Sequence, residues 1–477
     1  MKVYLIRLSG DVTYRKSSSR FFFEDLVIKN IKYALKKHKK EAKIIHEPAR
    51  IYVEDEGIDS SIFKRIFGIS SFSECEVIKF SDLEDLAKKI EEKYREEVKG
   101  KSFAIRCQRS GKHDFTSMDA AKIIGAKLKP YAIKVDLENP DLEINIEIRD
   151  DKAYVFKERI SGPGGLPIGV GEHVLSLFSG GFDSPVASWY IAKRGCKVDF
   201  LHFAFGGLSE VYPVYSVAKF LYENWFYGYK PKFFVIRFEE IIKEILSKIP
   251  NMIRQVALKR FMYLVAERIA LKYGHEALVT GEAISQATSQ TMRNLRVAEF
   301  GISLPIIRPL IGFDKQEIIA MSRDIGTYEL SLKVEELCGI AVGPLTPRAD
   351  IDKFFSDMQK IDLSILDKLT AEVIELDLDE NEEKIKELLK EEEFVINYIP
   401  TDSVVVNLMP DKFKIHKAIS FDEFDEEKYK DSLIIFVCEK GLTSKGLAKY
   451  YREKGYKAYS LEGGFEGYKK FFKLNTS

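Results

Sequence analysis

The residues with the clearest capacity for chemistry lie in a short turn near the middle of the chain. Residues 177–188 read LFSGGFDSPVAS, and the segment after them has the spacing of an amphipathic helix. A strand, a glycine-rich turn and a helix start in this order expose backbone N–H groups at the positive end of a helix dipole, which suits a phosphate. The pattern predicts an anion site, and an ordinary tight strand–helix connection is the alternative. The residues concerned are Ser179, Gly180, Gly181, Asp183 and Ser184.

A second polar stretch, TGEAISQATSQT (280–291), also follows an apolar run. It supplies short polar groups that suit a nucleotide near its phosphates or its base. A polar loop without function is the alternative.

The five cysteines are scattered, at positions 75, 107, 196, 338 and 438, with no CxxC pair. A disulfide scaffold and a tetra-thiolate zinc site are therefore not expected, no metal-ligand set is predicted, and a reducing cytoplasm is the predicted compartment. Cys438 ends the apolar run LIIFVC and precedes a helix start, where backbone N–H groups stabilise a thiolate. A buried structural thiol is the alternative for Cys438. Cys75, Cys107 and Cys196 have apolar or small neighbours and are predicted to be core thiols.

The elements that position these residues indicate an α/β protein. The apolar runs VLSLF, KVDFLHFAF, KFFVIRF, ALVTGE and PIIRPL alternate with helical segments, which predicts a mostly parallel, doubly wound sheet. In such sheets ligands bind outside the carboxyl ends of the strands, so we expect the two polar stretches to lie close together.

Smaller units flank this sheet. Residues before the glycine- and proline-rich connector 161–171 alternate between strands and helices in the manner of α+β domains. The acidic segment 371–395 is predicted to be a linker or a surface helix, and a small α/β module follows it.

The charge is balanced overall but not along the chain. The 477 residues are 45% hydrophobic and 31% charged with a net charge of zero. Residues 1–50 nevertheless hold 13 Lys/Arg against 5 Asp/Glu, and residues 101–130 hold 7 against 2. These basic regions predict a polyanionic partner, to which Arg7, Arg20, Lys101 and Arg109 are expected to contribute. A solvated face is the alternative. No apolar run approaches the roughly 18 residues of a membrane helix, the N-terminus does not resemble a signal peptide, and no membrane partner is expected.

The motifs resemble those of a known family. SGGFDSPVA resembles the pyrophosphatase loop (PP-loop) of ATP pyrophosphatases. With TGEAISQATSQT, RPLIGFDKQEI (308–318), IGTYELS (325–331) and Cys338, it follows the order of the tRNA 4-uridine sulfurtransferase (4-thiouridine synthetase) family. SFAIRCQRSGKHDFTSMDAAKIIGAKL resembles a THUMP RNA-binding domain, and AYSLEGGFEGY resembles a rhodanese motif.

The resemblance covers nearly the whole chain and implies its organisation. It implies a ferredoxin-like domain (1–78), a THUMP domain (79–165), a PP-loop domain (166–370), a linker (371–395) and a rhodanese-like domain (396–477).

The resemblance also implies an activity. Enzymes of this family use ATP to adenylate a tRNA uridine and replace its oxygen with sulfur from a cysteine persulfide, giving 4-thiouridine, here expected at tRNA position 8. The implied co-reactants and partners are ATP, Mg²⁺, tRNA, a cysteine desulfurase or other persulfide donor, and a second copy of the chain in a homodimer.

Residue roles follow from the same resemblance. Ser179, Gly180, Gly181, Asp183 and Ser184 would hold the pyrophosphate of ATP, with Asp183 acting through Mg²⁺ or by orienting the uridine. Lys315 would stabilise charge on the phosphates or the adenylate, and its alternative role is at the helix start. The remaining residues assigned to the nucleotide pocket are Leu177, Phe178, His202, Phe203, Lys259 or its neighbour Arg260, Gly281 and Gln290.

Two cysteines have different implied roles. Cys438 would carry the persulfide, and Cys338 would attack it so that a disulfide forms as sulfur leaves. Thr443 departs from the rhodanese pattern, because many rhodaneses have arginine there, and this departure favours a protein donor over free thiosulfate.

Three alternatives remain open from the sequence. The chain could be a PP-loop thiolase of another nucleotide, although the absence of CxxC counts against the iron–sulfur members of that group. It could act mainly as a sulfur carrier for the thiazole of thiamine. It could also be an RNA-binding module with an inert PP-loop, against which Ser179, Asp183 and Lys315 argue.

Overall fold

The computed structural model describes residues 2–54, 57–335, 340, 345–390 and 394–473. These residues form two compact units. The first comprises residues 1–170 with 193–195, and the second comprises residues 171–192 with 196–477.

The first unit is built on one mixed sheet of nine strands. Its strand order is β2-β3-β1-β4-β8-β7-β5-β6, with β9 beside β4. The strands are β1 (Val3–Leu8), β2 (Lys43–Glu47), β3 (Arg50–Glu54), β4 (Ile69–Lys79), β5 (Ser102–Ser110), β6 (Lys134–Val135), β7 (Leu142–Arg149), β8 (Lys152–Phe156) and β9 (Ile160–Ser161). The helices are α1 (Gly10–Thr13), α2 (Ser17–Lys37), α3 (Leu83–Tyr94) and α4 (Ser117–Leu128).

Strand β4 joins the two domains predicted for this unit. It pairs with β1 through residues 69–75 and with β8 through residues 76–79, both antiparallel. The predicted boundary between residues 78 and 79 therefore falls inside a strand, and the sheet is continuous across it.

The basic residues predicted to bind a polyanion occupy different environments, and Arg7 corrects the prediction. Arg7 lies in β1, is only 6% exposed, donates to Ser73 Oγ at 3.0 Å and packs against the Phe156 ring. A count of charges does not reveal that β1 is buried along its whole length. Arg7 supports the sheet and is not a surface contact.

The other three basic residues are nearer the surface. Arg20 forms a 2.8 Å ion pair with the buried carboxylate of Glu24, and Arg109 donates to the Gly111 carbonyl. Lys101 is exposed.

The second unit contains two sheets. The first has the order β14-β13-β10-β11-β12-β15 and the second has the order β16-β20-β19-β17-β18. The strands are β10 (His173–Leu177), β11 (Lys197–Ala204), β12 (Lys232–Arg237), β13 (Ala277–Val279), β14 (Ile306–Ile307), β15 (Ile374–Asp377), β16 (Val395–Ile396), β17 (Ser403–Asn407), β18 (Ile419–Ser420), β19 (Leu433–Val437) and β20 (Lys457–Leu461). The helices are α5 (Asp183–Lys193), α6 (Val211–Asn224), α7 (Glu239–Lys248), α8 (Arg254–Tyr273), α9 (Met292–Glu299), α10 (Lys315–Ile325), α11 (Tyr328–Ser331), α12 (Ile351–Met358), α13 (Ser364–Ala371), α14 (Glu382–Leu388), α15 (Leu442–Glu453) and α16 (Gly464–Lys473).

The central sheet has the parallel, buried character that its apolar strands predict. Strands β10 to β14 pair in parallel, and β10, β11, β12 and β13 are buried along nearly their whole length. Helices cover such a sheet on both faces, so its polar sites collect at the strand ends.

The segment 371–395, predicted to be a linker or a surface helix, contains a strand as well as the helix α14. Residues 374–377 form β15, which pairs antiparallel with β12 at the edge of the central sheet. Ion pairs join Glu375 to Lys232 at 3.0 Å and Asp377 to Lys230 at 2.7 Å. The acidic composition that suggested a solvated linker instead pairs with a basic edge.

The C-terminal sheet is small and wholly parallel. Its central strand β19 carries Cys438 directly after its last residue, and α15 follows this turn.

The other cysteines differ in burial. Cys75 is buried as predicted, whereas Cys107 and Cys196 are only half-buried. None of the helices in the described ranges combines the length and the apolar character needed to cross a membrane.

Candidate functional site

The PP-loop, residues 179–184, is held by hydrogen bonds within the turn. Ser184 Oγ accepts from the backbone N–H groups of Ser179 and Gly180 at 3.1 and 3.2 Å. Gly180 has φ +77°, and a Cβ there would lie 3.0 Å from the Val214 side chain. Glycine is therefore required at Gly180, and the turn presents its backbone at the start of α5.

Asp183 and Lys315 form an ion pair over the PP-loop. Lys315 Nζ donates to both carboxylate oxygens of Asp183, at 2.8 and 3.1 Å. The start of α10 is capped by Asp314, whose side chain forms a reciprocal pair of hydrogen bonds with Glu317. Lys315 is therefore not needed as a cap. The pair is partly open to solvent, since the side chains of Asp183 and Lys315 are 26% and 40% exposed.

Gly281 allows the second polar stretch to contact the PP-loop directly. A Cβ on Gly281 would lie 2.7 Å from the Asp183 carbonyl carbon and 2.8 Å from the Ser184 backbone nitrogen. Gln286 Nε2 from the same stretch donates to Asp183 Oδ2 at 3.1 Å. The structure thus brings together the two polar stretches that follow neighbouring strands, as expected from the sheet.

Gln290 lies in this stretch but supports it from within. Its Oε1 accepts from the backbone N–H of Ala283 at 3.1 Å. Gln286, which the sequence did not single out, is the glutamine that reaches Asp183.

Lys259 pairs with a buried glutamate next to Gly281. Glu282 accepts hydrogen bonds from Lys259, from Tyr263 OH at 2.5 Å and from Arg308 Nε at 2.7 Å. Burial opposes the charge on Glu282, but the ion pairs with Lys259 and Arg308 hold its pKa at about 2. Lys259 thus anchors the end of β13. The neighbouring Arg260 donates to the Phe300 carbonyl at 2.6 Å.

The apolar residues predicted beside the adenosine are buried at the carboxyl ends of β10 and β11. Leu177, Phe178, His202 and Phe203 are all less than 9% exposed. His202 and Phe203 lie within β11, not after it as the sequence suggested.

His202 is a neutral, partly unsatisfied group near the PP-loop. Its Nδ1 lies 3.1 Å from the Phe178 carbonyl, which can only accept, so Nδ1 carries the proton. Burial lowers the pKa of His202 to about 4. Nε2 is buried with no partner among the described residues.

The segment that leads toward Cys338 begins on the PP-loop. The Phe182 and Tyr328 rings stack with centroids 5.3 Å apart, and Ser331 Oγ donates to the Gly181 carbonyl at 3.3 Å. Cys338 itself lies outside the described residues.

The Cys438 loop, residues 438–444, surrounds a fully buried sulfur. Cys438 Sγ accepts from the backbone N–H groups of Gly441 and Ser444 at 3.2 and 3.5 Å and lies 3.3 Å from Ser444 Oγ. Ser444 Oγ is also 2.8 Å from Ser460 Oγ. Donors arranged in this way stabilise negative charge on sulfur. Thr443, at the position of the usual arginine, is buried.

Gly464 closes the turn under the Cys438 loop. It has φ +57°, and a Cβ there would lie 2.3 Å from the Cys438 carbonyl oxygen. The next residue, Phe465, donates its N–H to that oxygen at 2.8 Å.

The two loops open onto one cavity of about 340 Å³. Phe182 of the PP-loop and Leu442 of the Cys438 loop both line it, together with Ser331 and Glu335. Glu335 is the last described residue before Cys338, three positions away. A second cavity, of about 1190 Å³, also borders the Cys438 loop, at Lys440 and Gly441.

Sequence reasoning missed the residues whose roles depend on tertiary pairing. Glu282 and Gln286 stood inside a quoted motif, yet nothing local distinguished them from their neighbours. Ser444 followed a candidate cysteine by six positions, and this spacing was the available signal. Arg308 also stood inside a quoted motif without being singled out, and Tyr263 gave no sequence signal.

Comparison with known families matches each part of the chain. The family model described as Thiamine biosynthesis protein (ThiI) matches residues 169–363, the THUMP domain matches 79–158, the ThiI ferredoxin-like domain matches 3–73 and the Rhodanese-like domain matches 370–471.

Whole-chain relatives agree with these matches. The chain is 40% identical to a tRNA sulfurtransferase of Desulfurococcus amylolyticus, across 98% of both chains. It is 43% identical to a probable tRNA sulfurtransferase of Sulfurisphaera tokodaii, across 78% of this chain and 100% of that one. A crystal structure of a 4-thiouridine synthetase–RNA complex with bound ATP superposes with a TM-score of 0.69 at 28% identity, across 79% of this chain and all of that one.

The predicted family resemblance and the predicted fold class are therefore confirmed. The 40% identity extends across nearly the entire length of both chains, so the similarity includes all of the matched domains. The chain belongs to the tRNA sulfurtransferase family of enzymes.

Proposed function

We propose that this tRNA sulfurtransferase uses ATP to activate O4 of a tRNA uridine, at position 8, and replaces that oxygen with sulfur carried on Cys438. The observation that carries the proposal is the cavity bordered by both Phe182 of the PP-loop and Leu442 of the Cys438 loop. One cavity lets activation and sulfur delivery act on a single bound uridine.

The residues around the PP-loop fit ATP. The turn presents backbone N–H groups at the start of α5, and Lys315 supplies a cation. The buried, unpartnered Nε2 of His202 offers an acceptor at the carboxyl end of β11. The related 4-thiouridine synthetase, solved with bound ATP, supports the same assignment.

Mg²⁺ fits the same group of residues. Asp183 has the carboxylate oxygens that Mg²⁺ prefers, alongside the phosphates of a nucleotide. In this role Asp183 would exchange its contact with Lys315 for the metal, and Lys315 would turn to the phosphates. Attack by the uridine oxygen on the α-phosphate releases pyrophosphate and leaves an activated C4.

Sulfur delivery follows from the Cys438 loop. A persulfide on Cys438 carries a sulfane sulfur that must gain two electrons as it joins C4 and AMP leaves. Attack by Cys338 on Cys438 Sγ supplies them, because the two cysteines end as a disulfide. A thiol reductant then restores both cysteines before the next turnover.

The position of Glu335 supports this use of Cys338. Glu335 lines both cavities beside the Cys438 loop and precedes Cys338 by three residues. The larger cavity provides room beside the Cys438 loop for the persulfide-bearing loop of a cysteine desulfurase or another protein donor.

The first unit is the proposed tRNA-binding part. The THUMP match at residues 79–158 and the RNA in the related complex support this assignment. The homodimer and the reducing cytoplasm stay predictions of the sequence.

Lysines that are exposed in the first unit provide the test of RNA binding. Substitution of Lys101, Lys112 and Lys129 by Glu should weaken tRNA binding and reduce its salt dependence. Each lysine that neutralises a phosphate contributes about 0.9 to the steepness of log affinity against log salt concentration, and its removal takes that contribution away. The matched control reverses three exposed lysines of the second unit, Lys414, Lys417 and Lys457. Equal tRNA affinity in both variants, measured by filter binding, would contradict the assignment.

A second proposed use of the persulfide is supply of sulfur for the thiazole of thiamine. The match to the family described as Thiamine biosynthesis protein favours it. This use would need Cys438 but neither tRNA nor ATP. Sulfide release from the loaded enzyme with an added thiol, without tRNA, measures it.

The main proposal is tested by ATP–pyrophosphate exchange. We expect exchange only when unmodified tRNA is present, and we expect none with tRNA that already contains 4-thiouridine. If exchange is instead lost only with a tRNA that lacks some other base, that base is the target nucleotide. If the protein binds tRNA but shows no exchange at all, it is an RNA-binding module with an inert PP-loop.

A further inference from the structure

A second cluster of chemistry-bearing side chains lies at the other end of the central strands. His173 begins β10, Asp199 lies near the start of β11 and His275 stands two residues before β13. The PP-loop follows the carboxyl end of β10, so a strand length of about 16 Å separates it from this cluster. The proposed function uses none of the three residues.

The three side chains converge on a single point. Asp199 Oδ2 lies 2.9 Å from His173 Nε2 and 3.1 Å from His275 Nε2. The side chains of Asp199 and His275 are fully buried. Two ligands of one tetrahedral Zn²⁺, bound at their usual lengths, lie about 3.3 Å apart. A small increase in the distances between these three ligand atoms would therefore allow all of them to bind one ion.

Surrounding groups orient the ligand atoms. Tyr229 OH and the Lys232 N–H donate to Asp199 Oδ1 at 2.7 and 2.8 Å, so that Oδ2 faces the two imidazoles. Tyr229 OH also lies 2.8 Å from His173 Nε2, a contact that His173 would exchange for a bound ion. His275 Nδ1 lies 3.3 Å from the Ala270 carbonyl, which can only accept. Contacts of this kind to the outer atoms of ligands are typical of metal sites, because they fix the imidazole tautomer and ring orientation.

We propose that His173, Asp199 and His275 bind one Zn²⁺ ion. Two imidazole nitrogens and one carboxylate oxygen are a common zinc donor set in which a water occupies the fourth position. The His173 side chain is 27% exposed and forms the side of the site that water can reach. Because the site is remote from the PP-loop, the ion ties together three strands of the sheet and takes no part in the sulfur transfer.

The test uses the full untagged chain, stripped with a chelator and then titrated with Co²⁺ as a spectroscopic probe. We expect one Co²⁺ per chain, with the visible absorption of a four-coordinate site that added Zn²⁺ abolishes. The thermal midpoint of the stripped protein should rise when Zn²⁺ is added.

Two variants locate the ion. His173→Ala should weaken Co²⁺ binding by at least about tenfold. Because His173 is partly exposed, we expect this variant to fold. His416→Ala removes an exposed histidine outside the cluster and should leave binding unchanged.

Any one of three results overturns the proposal. The first is the lack of stoichiometric Co²⁺ absorption, and the second is equal Co²⁺ affinity in the wild-type and His173→Ala proteins. The third is a thermal midpoint that added Zn²⁺ does not change. The wild-type titration gives a decision even if the His173→Ala variant does not fold.

Discussion

The PP-loop and the Cys438 loop share a backbone design but differ in how they treat charge. Each follows the carboxyl end of a buried parallel strand, and in each a serine bonds to groups of its own turn, Ser184 in one and Ser444 in the other. The PP-loop carries the partly exposed pair of Asp183 and Lys315, whereas the Cys438 sulfur is fully buried among N–H and O–H donors.

Under the proposed function, this difference teaches how one local fold serves two reactions. A strand–turn–helix unit supplies oriented N–H groups whatever its sequence. The side chains at the start of the helix then decide the chemistry. The accessible carboxylate and ammonium fit the phosphate and metal proposed for the PP-loop, whereas the enclosed Cys438 sulfur fits the proposed persulfide, which must be shielded until the uridine is activated.

Asp183→Ala is the substitution that should separate the two sites most strongly. It removes the carboxylate that Lys315 and Gln286 contact, so tRNA-dependent ATP–pyrophosphate exchange should fall by about 1000-fold. Persulfide loading on Cys438, measured by mass spectrometry, should be unchanged. The control Asp324→Ala removes an exposed aspartate from α10. Exchange reduced equally in both variants would contradict this role.

Two glycine substitutions should impair the two loops selectively. Gly281→Ala places a Cβ against the backbone of Asp183 and Ser184, and a displacement of the PP-loop should lower the exchange rate by about 100-fold. Gly464→Ala, with its contact to the Cys438 carbonyl, should impair persulfide loading instead. Gly312→Ala is the control, because no atom lies within 4 Å of a Cβ there. Loss of both activities in either variant would show that the loops are not independent.

Ser444→Ala should have a smaller effect, confined to sulfur chemistry. It removes the hydroxyl that lies 3.3 Å from Cys438 Sγ and donates to the Gly441 carbonyl, and the loss of these contacts should slow persulfide loading by about tenfold. Ser460→Ala, one hydroxyl further away, should slow it less. The loading rate is measured by quenched-flow mass spectrometry. An unchanged rate in Ser444→Ala would mean that the backbone N–H groups alone stabilise the sulfur.

Glu210, which lies beside the Cys438 loop, should give the smallest effect. Its Oε1 accepts from the Gly206 N–H at 3.0 Å, and a Cβ on Gly206 would lie 2.6 Å from the Leu442 side chain. Burial raises the pKa of Glu210 from 4.5 to about 8. The folded state therefore holds this proton more tightly than the unfolded state, and the resulting stability is lost as the pH rises toward 8.

Glu210→Gln tests this pH dependence. The thermal midpoint of the wild-type protein should fall more than that of the variant when the pH is raised from about 5 to about 9. Parallel curves for the two proteins, measured by calorimetry, would contradict the raised pKa.

Sequence reasoning succeeded where the signal was local. The glycines and serines of the PP-loop and the strand before Cys438 predicted turns and helix starts from neighbouring residues alone. The pairing of Asp183 with Lys315 spans 132 positions, and only the family order of motifs suggested that the two act at one site.

It failed where an outcome depends on long-range pairing. The resemblance assigned Lys259 to the nucleotide pocket, which stays a prediction, but its pairing with Glu282 depends on how α8 packs beside β13 and could not be seen in the sequence. Arg7 was counted as surface charge, although both faces of its strand are covered. The acidic residues of β15 resembled a linker or a surface helix, because their basic partners Lys230 and Lys232, near the start of β12, are distant in the sequence.

The central claim is that Cys438 carries the sulfur while the PP-loop works without it. The most direct test is the Cys438→Ala variant supplied with unmodified tRNA and ATP, with Cys107→Ala as the matched control. With a protein persulfide donor as the sulfur source, we expect no 4-thiouridine in the tRNA, since a methyl group carries no sulfur. With free sulfide in place of the donor, we expect 4-thiouridine to form, because activation is intact. Full 4-thiouridine formation by Cys438→Ala from the protein donor, without free sulfide, would contradict the account.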